Sequence, residues 1–485
     1  MSAWSKIAVT MAACTVLGAA TMAMPVTVGA TVASRAASAA SLPGIGTPGI
    51  VFPANRRFAT TDGPPTSAEC MASLGVACYS PLQVEQAYDL PSLYSRGLNG
   101  RGRTIVIVDP YSSPTISNDL TVFDDAFGLP APPSFQIVQP IGPVPPFDPN
   151  NPAMVGAAGE ITGDVELAHE IAPGANILLV EIPLNATTLD GDFAAAMTAE
   201  NYVIDHNLGD VFSQSFGEPE PDFGSPADIQ QLRFAYLNAY RHHVTMLAGS
   251  GDSGASGPTL TGTSFDQRIV YWPASDPLVT GVGGTELRLA ASGDRTAPDT
   301  AWNDNANPVV PKVAGPEYLW AGGGGQSVVF SRPGYQDPVR QIVAGTRGVP
   351  DIAMSASISG AVLLYESFTG APGLWGPGGG TSAASPLLAG IVAIADQYAH
   401  TRLGLINPAL YQLERKHAPG IVDVTQGSNT VSFTQNGALV TVPGFPARRG
   451  YDLVTGVGTI DAARFVPELA AETILRGRRP AQPGR

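Results

Sequence analysis

Three segments of this 485-residue chain carry side chains whose types and spacing suit acyl-transfer chemistry. The first is Gly378-Gly379-Gly380-Thr381-Ser382-Ala383-Ala384-Ser385-Pro386, which runs into the apolar Leu-Leu-Ala-Gly-Ile-Val-Ala. It predicts a glycine-rich turn that hands Ser382 to the start of a helix, where the dipole stabilises negative charge. Pro386 suits the first helical turn, where its missing donor costs nothing. The glycines let a substrate backbone come close, which is what a nucleophile needs around it. The same pattern also describes an ordinary helix start capped by Thr or Ser.

The second segment, residues 160–173, reads as a helix ended by Pro-Gly. At about 100° per residue, Ile161, Val165, Ala168 and Ala172 make the core stripe. Glu166 and Glu170 are then expected on the opposite face as solvated carboxylates. Glu160 and Asp164 lie one turn apart on a flank shared with Leu167 and Ile171, so they are expected to be adjacent and partly buried. Like charges at that spacing raise at least one pKa, as in acid/base dyads. A solvated i,i+4 pair is the plainer alternative. The third segment is Gly249-Ser250-Gly251-Asp252-Ser253-Gly254. Asp252 there either accepts backbone N–H bonds in a turn or, when neutral, donates to an oxyanion. None of the six histidines falls in a glycine-flanked motif beside a strand end.

Apolar, β-branched runs at 104–109, 176–182, 211–216, 244–250 and 279–283 must position these groups. Helical stretches at 192–205 and 227–242 lie between them. Continuous apolar strands alternating with helices predict an α/β fold, a doubly wound parallel sheet with helices on both faces. Ligands in such sheets sit beyond the carboxyl ends of the strands, where both Asp109 and Asp252 fall.

At 44% hydrophobic the chain can bury a large core, and its net charge of −15 argues against nucleic acid or anionic membranes as partners. Residues 1–33 read as a secretory signal peptide: Lys6, an apolar run from Ile7 to Met24, then small residues, with cleavage expected between Ala30 and Ala39. Export removes Cys14 and leaves Cys70 and Cys78, expected to form a disulfide worth about 2 kcal/mol. No cysteine then remains for catalysis or zinc. Residues 34–77 are expected to be a connector holding that disulfide loop, and 467–485 a disordered tail.

A serine, a Glu–Asp pair and a further Asp, without histidine, resemble the sedolisin family of serine-carboxyl peptidases, which share the subtilisin-like fold. Gly380-Thr381-Ser382-Ala383-Ala384-Ser385-Pro386 is similar to the family's Gly-Thr-Ser-x-x-x-Pro signature. Gly251-Asp252-Ser253-Gly254 is similar to its oxyanion motif, and Glu160-x-x-x-Asp164 with Ala172-Pro173-Gly174-Ala175 to its acid pair. The resemblance runs in order from about Tyr79 to Asp461 and implies a peptidase domain over 78–466. It implies Ser382 as nucleophile, Glu160 as general base, Asp164 as its partner and Asp252 as oxyanion donor. An endopeptidase working in acid on peptide or protein substrates is what it implies; with the leader at 1–33 the enzyme is expected to be secreted, and it is expected to be a monomer.

The resemblance also implies a calcium site, with Asp423 and Asp452 binding by carboxylate and Val424, Arg448 and Gly450 by carbonyl oxygen. Arg448 stands where the family usually has glycine. Gln214-Ser215-Phe216-Gly217 replaces the family's more usual Ser-Trp-Gly at one wall of the cleft. The family's long amino-terminal prosegment is not expected in the roughly forty residues between the leader and Tyr79, too few for a folded domain. Two rivals remain. One is a subtilisin-type Asp-His-Ser enzyme using Asp109, although the chain has no His-Gly-Thr segment. The other is a secreted, inactive peptidase-like protein that acts by binding.

Overall fold

Alternating side chains along the strands explain how the sheet is covered. Strand β1 (Thr104–Pro110) sends Ile105 and Ile107 into one apolar cluster and Val106 and Val108 into another on the opposite face. The computed structural model describes residues 58–59, 63–184, 188–310, 319–370 and 373–477, all within one unit, Ala40–Arg485. The leader at 1–33 and most of the connector lie outside the described residues. No helix among the described residues is long and apolar enough to cross a membrane.

The remaining strands of the main sheet are β2 (Phe135–Val138), β3 (Asn176–Ile182), β4 (Val211–Gln214), β5 (Thr245–Gly249), β6 (Thr280–Glu286), β7 (Thr300–Ala301) and β8 (Ile352–Ser355). Their order is β7-β6-β5-β4-β1-β3-β2, with β8 also on β6. Every pairing is parallel except the short β6–β7 contact at the edge. The doubly wound parallel sheet expected from the strand pattern is the one observed, in line with the subtilisin-like fold that the family resemblance implies.

Two long helices cover the face that carries the chemistry. Helix α1 (Pro152–Ile171) is capped by the Asn151 side chain, which accepts from the Ala153 N–H at 3.0 Å. Helix α2 (Leu189–Asp205) lies on the opposite face, with Phe193, Met197 and Val203 packed into the cluster of Val106 and Val108. Helix α3 (Thr381–Ala399) packs against α1, and Gly390 of α3 meets Ile171 so closely that a Cβ there would clash. Helix α4 (Ala462–Gly477) packs on α3 in turn.

Three expectations need correction. Residues 467–477 are not a disordered tail: α4 continues through them and buries Leu469 and Ala470. The apolar spacing that begins at Phe465 and Val466 carries on and docks that helix; residues 478–485 lie outside the described residues. Glu166 and Glu170 are not solvated but fully buried. The sequence pattern gives α1 one apolar stripe, yet the strand Ala361–Glu366 and the helices Pro81–Ala87 and Ile116–Phe127 cover its other side. Glu166 Oε2 accepts from the Tyr365 N–H at 3.0 Å, and Glu170 faces Glu85. Pro386 is not in the first turn, because α3 begins at Thr381 and places it at the sixth position.

The disulfide between Cys70 and Cys78 is present. It ties the helix Ser67–Leu74 to the strand Cys78–Tyr79, so the end of the connector is ordered against the fold.

Candidate active site

The sheet and its two covering helices bring the three segments together. Glu160 and Asp164 are fully buried, one turn apart in the middle of α1. Burial raises the pKa of Glu160 well above the usual carboxylate range, and Asp164, Asp109 and Asp252 push it further. The hydroxyl of Ser382 eases that rise, so it faces the Glu160 carboxyl. Neither Ser382 Oγ nor either oxygen of Glu160 has a partner in close hydrogen-bond geometry among the described residues. The two groups face each other without a formed hydrogen bond, an arrangement common in resting catalytic sites.

Burial also raises the pKa of Asp164, and the Ser215 hydroxyl partly offsets it. Asp109, weighed in sequence only as the acid of a rival triad, joins the same group. It continues the parity of Ile105 and Ile107, so it leaves the end of β1 on the side of α1. It is fully buried, and its pKa is raised first by burial and then by Asp164 and Glu181. Three carboxyls this close and this dry cannot all be charged, so the cluster must hold protons. The strand parity was the signal in the sequence that could have placed Asp109 here.

Ser382 is the second residue of α3, where N–H groups have no acceptor within the helix. Across from it, Asp252 follows β5 and is buried. Its Oδ1 accepts from the N–H and the hydroxyl of Thr381, each at 2.8 Å. Its Oδ2 has no partner among the described residues and lies beside Gly380. Burial pushes the Asp252 carboxyl up to about 6 against the pull of the two Thr381 donors. One oxygen of Asp252 thus accepts a backbone N–H, from the start of α3 rather than from its own turn, and the other is left open. The Thr381 hydroxyl in turn accepts from the Gly251 N–H at 3.0 Å, which locks the two loops together.

Pro386 removes a helical hydrogen bond from Ser382. Its N–H would have donated to the carbonyl of Ser382, four residues earlier, so that carbonyl loses its helical donor. Ser215, just past β4, donates its hydroxyl to the Ser382 carbonyl at 3.3 Å instead. Ser213, two residues before it on the same strand face, meets Ser385 Oγ at 2.8 Å. The replacement of Ser-Trp-Gly thus keeps its serine in contact with α3, while Phe216 packs away from it against Phe193.

No histidine stands in this constellation: His169, on α1, bonds instead to the Pro130 carbonyl at 2.9 Å and to Asp124. A serine, a carboxyl base with buried acid partners and a neutral carboxyl donor can together perform acyl transfer. A subtilase family model matches residues 153–427, which span Glu160, Asp164, Asp252 and Ser382. The chain belongs to the subtilase family. Within that family its relatives are sedolisins. Kumamolisin of Bacillus sp. (strain MN-32) is 33% identical over 406 residues, covering 82% of this chain and 64% of that protein. Sedolisin of Pseudomonas sp. (strain 101) is 29% identical over 271 residues, covering 55% of this chain and 42% of that protein. Human tripeptidyl-peptidase 1 is 30% identical over 270 residues, covering 52% and 42%. This subtilase chain thus spans less than two thirds of the length of these relatives. Among solved structures, Pseudomonas sedolisin, a serine-carboxyl proteinase complexed with two molecules of pseudo-iodotyrostatin, superposes with a TM-score of 0.67 at 25% identity. That match covers 82% of this subtilase and 99% of the sedolisin chain.

The two halves of the expected calcium site also meet in this subtilase. The Gly450 N–H donates to Asp423 Oδ2 at 3.1 Å, and the Arg448 N–H to Asp452 Oδ2 at 2.9 Å. Gly450 has φ +72°, a turn that glycine makes without strain. The Arg448 side chain is exposed, so its charge is left in water while its carbonyl stays with the loop. Two carboxylates with backbone carbonyls are an oxygen donor set of the kind calcium takes. No group of three or more His, Cys, Asp or Glu side chains converges as a metal site among the described residues.

Proposed function

We propose that the chain is a secreted serine-carboxyl endopeptidase that cuts peptide bonds in acid. The observation that carries this reading is the placement of Ser382 against the buried Glu160, with the unpartnered Oδ2 of Asp252 on the other side of the same helix start. Kinship with kumamolisin and sedolisin supports it.

In this mechanism Ser382 Oγ bonds to the scissile carbonyl carbon while its proton passes to the Glu160 carboxylate. The carbonyl π pair moves onto oxygen, which accepts from the neutral Asp252 carboxyl and from the Ser382 N–H. Collapse breaks the C–N bond, and the proton on Glu160 goes to the leaving amine. Water then attacks the acyl-serine, gives its proton to Glu160 and releases the acid, and Ser382 recovers its proton. Burial holds the basicity of Glu160 above that of a solvated carboxylate, and protons kept on Asp164 and Asp109 leave Glu160 free to ionise. Asp423, Val424, Arg448, Gly450 and Asp452 would hold a calcium ion about the loop near α4, where it would stiffen the fold rather than join the chemistry.

Export is supported by the leader-like residues 1–33 and suits the disulfide at Cys70 and Cys78. Incubating denatured protein with wild type and Ser382→Ala at pH 4, and mapping the products by mass spectrometry, tests the function. Internal cuts by wild type alone are expected. Removal of short peptides from amino termini alone would replace the endopeptidase with an exopeptidase, and no Ser382-dependent cutting would leave the inactive binding protein.

A further inference from the structure

Helix α3 starts with an unusual debt: the carbonyl of its nucleophile has no helical donor, because position 386 is proline. That carbonyl belongs to the residue whose hydroxyl must attack, so any tilt of its peptide moves the nucleophile and the N–H of the next residue together. Ser215 supplies the donor at 3.3 Å from outside the helix, at the residue that directly follows β4. The same hydroxyl is near enough to Asp164 to favour its charged form, while neither Asp164 oxygen makes a hydrogen bond among the described residues and both are left open to it.

We propose that Ser215 is a positioning residue for the nucleophile, its hydroxyl linking Asp164 to the carbonyl of Ser382. The hydroxyl has one proton and can accept a second hydrogen bond. With Asp164 protonated, Asp164 donates to Ser215 Oγ and Ser215 donates to the Ser382 carbonyl, in one continuous chain. With Asp164 ionised, the Ser215 proton turns to the carboxylate and the Ser382 carbonyl is released. The helix start therefore responds to the charge of the acid cluster. Burial sets this charge first, against the Ser215 hydroxyl. The carboxyls that share the cluster are Glu160 on α1 and Asp109 on β1, with Asp252 after β5 acting on Glu160 and Glu181 on β3 acting on Asp109. Burial and these carboxyls alike favour the protonated form of Asp164 and the complete chain.

This role rests on the peptidase reading, so its test has one arm that needs no turnover. Carbon-13 labelling of aspartate, with Asp164→Asn to assign the signal, follows the Asp164 carboxyl through pH in wild type, Ser215→Ala and Ser215→Thr. The Ser215→Ala protein loses a donor to the charged form, so its titration midpoint moves up by about one pH unit, and Ser215→Thr restores it. In the second arm, peptide hydrolysis by Ser215→Ala shows kcat lower by about tenfold with KM little changed, the effect of one lost hydrogen bond, and the acid limb of its profile moves to higher pH. Ser215→Thr recovers both. A titration in Ser215→Ala that matches wild type, or a kcat and profile equal to wild type, overturns the role. A shifted titration in a protein that cuts nothing supports the link and sinks the peptidase reading alone.

Discussion

Asp252 receives both donors of Thr381, the N–H and the hydroxyl, on the single oxygen Oδ1 and leaves Oδ2 bare beside Gly380. A carboxylate in water would spread such bonds over both oxygens. Here one oxygen anchors the loop to the helix start, and the other is free to carry a proton. The division of labour follows from local sequence. Glycine at 380 leaves the gap, and threonine at 381 offers two donors in a row.

Asp252 can donate to an oxyanion only while neutral, and burial pushes it up to about 6. Activity is therefore expected to fall as pH rises through about 6, when Asp252 ionises. Asp252→Asn keeps a donor that does not titrate, so its alkaline limb should flatten. Its kcat should drop by about 10²–10³ from the poorer oxyanion contact. Steady-state kinetics from pH 3 to 8 on both proteins check this, and an unchanged alkaline limb in the variant would remove Asp252 from that role.

Gly380 has φ +103°, and a Cβ on it would lie 2.5 Å from Asp252 Oδ2. Gly380→Ala is expected to cost about 1–3 kcal/mol of stability through backbone strain. It should also displace the free oxygen of Asp252 and lower kcat more than it raises KM. Thermal unfolding and kinetics separate the two effects; normal kcat at reduced stability would show that Oδ2 need not sit there.

Burial of carboxyls continues beyond the active site. Glu166, Glu170 and Glu200 are all fully buried, and burial raises each pKa well above the usual range. Their folded pKa exceeds the unfolded one, near 4.3, so the native chain binds more protons than the unfolded chain. The stability they permit is fully present below about pH 4 and is lost as pH rises towards their folded values. Melting of the Ser382→Ala protein should therefore occur at lower temperature at pH 7 than at pH 4. Glu200→Gln, which removes the charge from a carboxyl with no partner on either oxygen among the described residues, should recover part of the difference. A melting temperature that climbs towards neutrality would contradict this.

Calcium at the loops of Asp423 and Asp452 is expected to stiffen the region around Gly450 without touching the acids of the site. Adding a chelator should lower the melting temperature and leave the pH dependence of hydrolysis in the surviving protein unchanged. Asp423→Ala should lose the response to chelator. Equal melting curves with calcium and with chelator would remove the metal from the account.

The sheet was legible because its strands are continuous apolar runs, and runs buried on both faces look alike in sequence and structure. The four candidate residues, Glu160, Asp164, Asp252 and Ser382, stand out in the sequence because each sits in a short glycine-marked motif or at one-turn spacing. The burial of Glu166 and Glu170 escapes helical periodicity, which sees one stripe, because the elements that close the other side of α1 lie more than twenty residues away in the chain. Pro386 was misplaced by one turn, since no local signal fixes where a helix begins after three glycines. In the sequence Ser215 stands only as part of the Gln214-Ser215-Phe216-Gly217 wall motif. Its bond to Ser382 joins residues 167 apart in sequence, and that distance is set by the packing of α3 on β4.

The central claim is that Ser382 is activated by a buried carboxyl rather than by histidine. The most direct measurement is kcat/KM for a peptide substrate from pH 3 to 8, for wild type and for Ser382→Ala. The account predicts a bell in the acid range for wild type, falling on its alkaline side near pH 6, and no turnover for Ser382→Ala. An optimum at neutral or alkaline pH, or equal turnover by the two proteins, would contradict it.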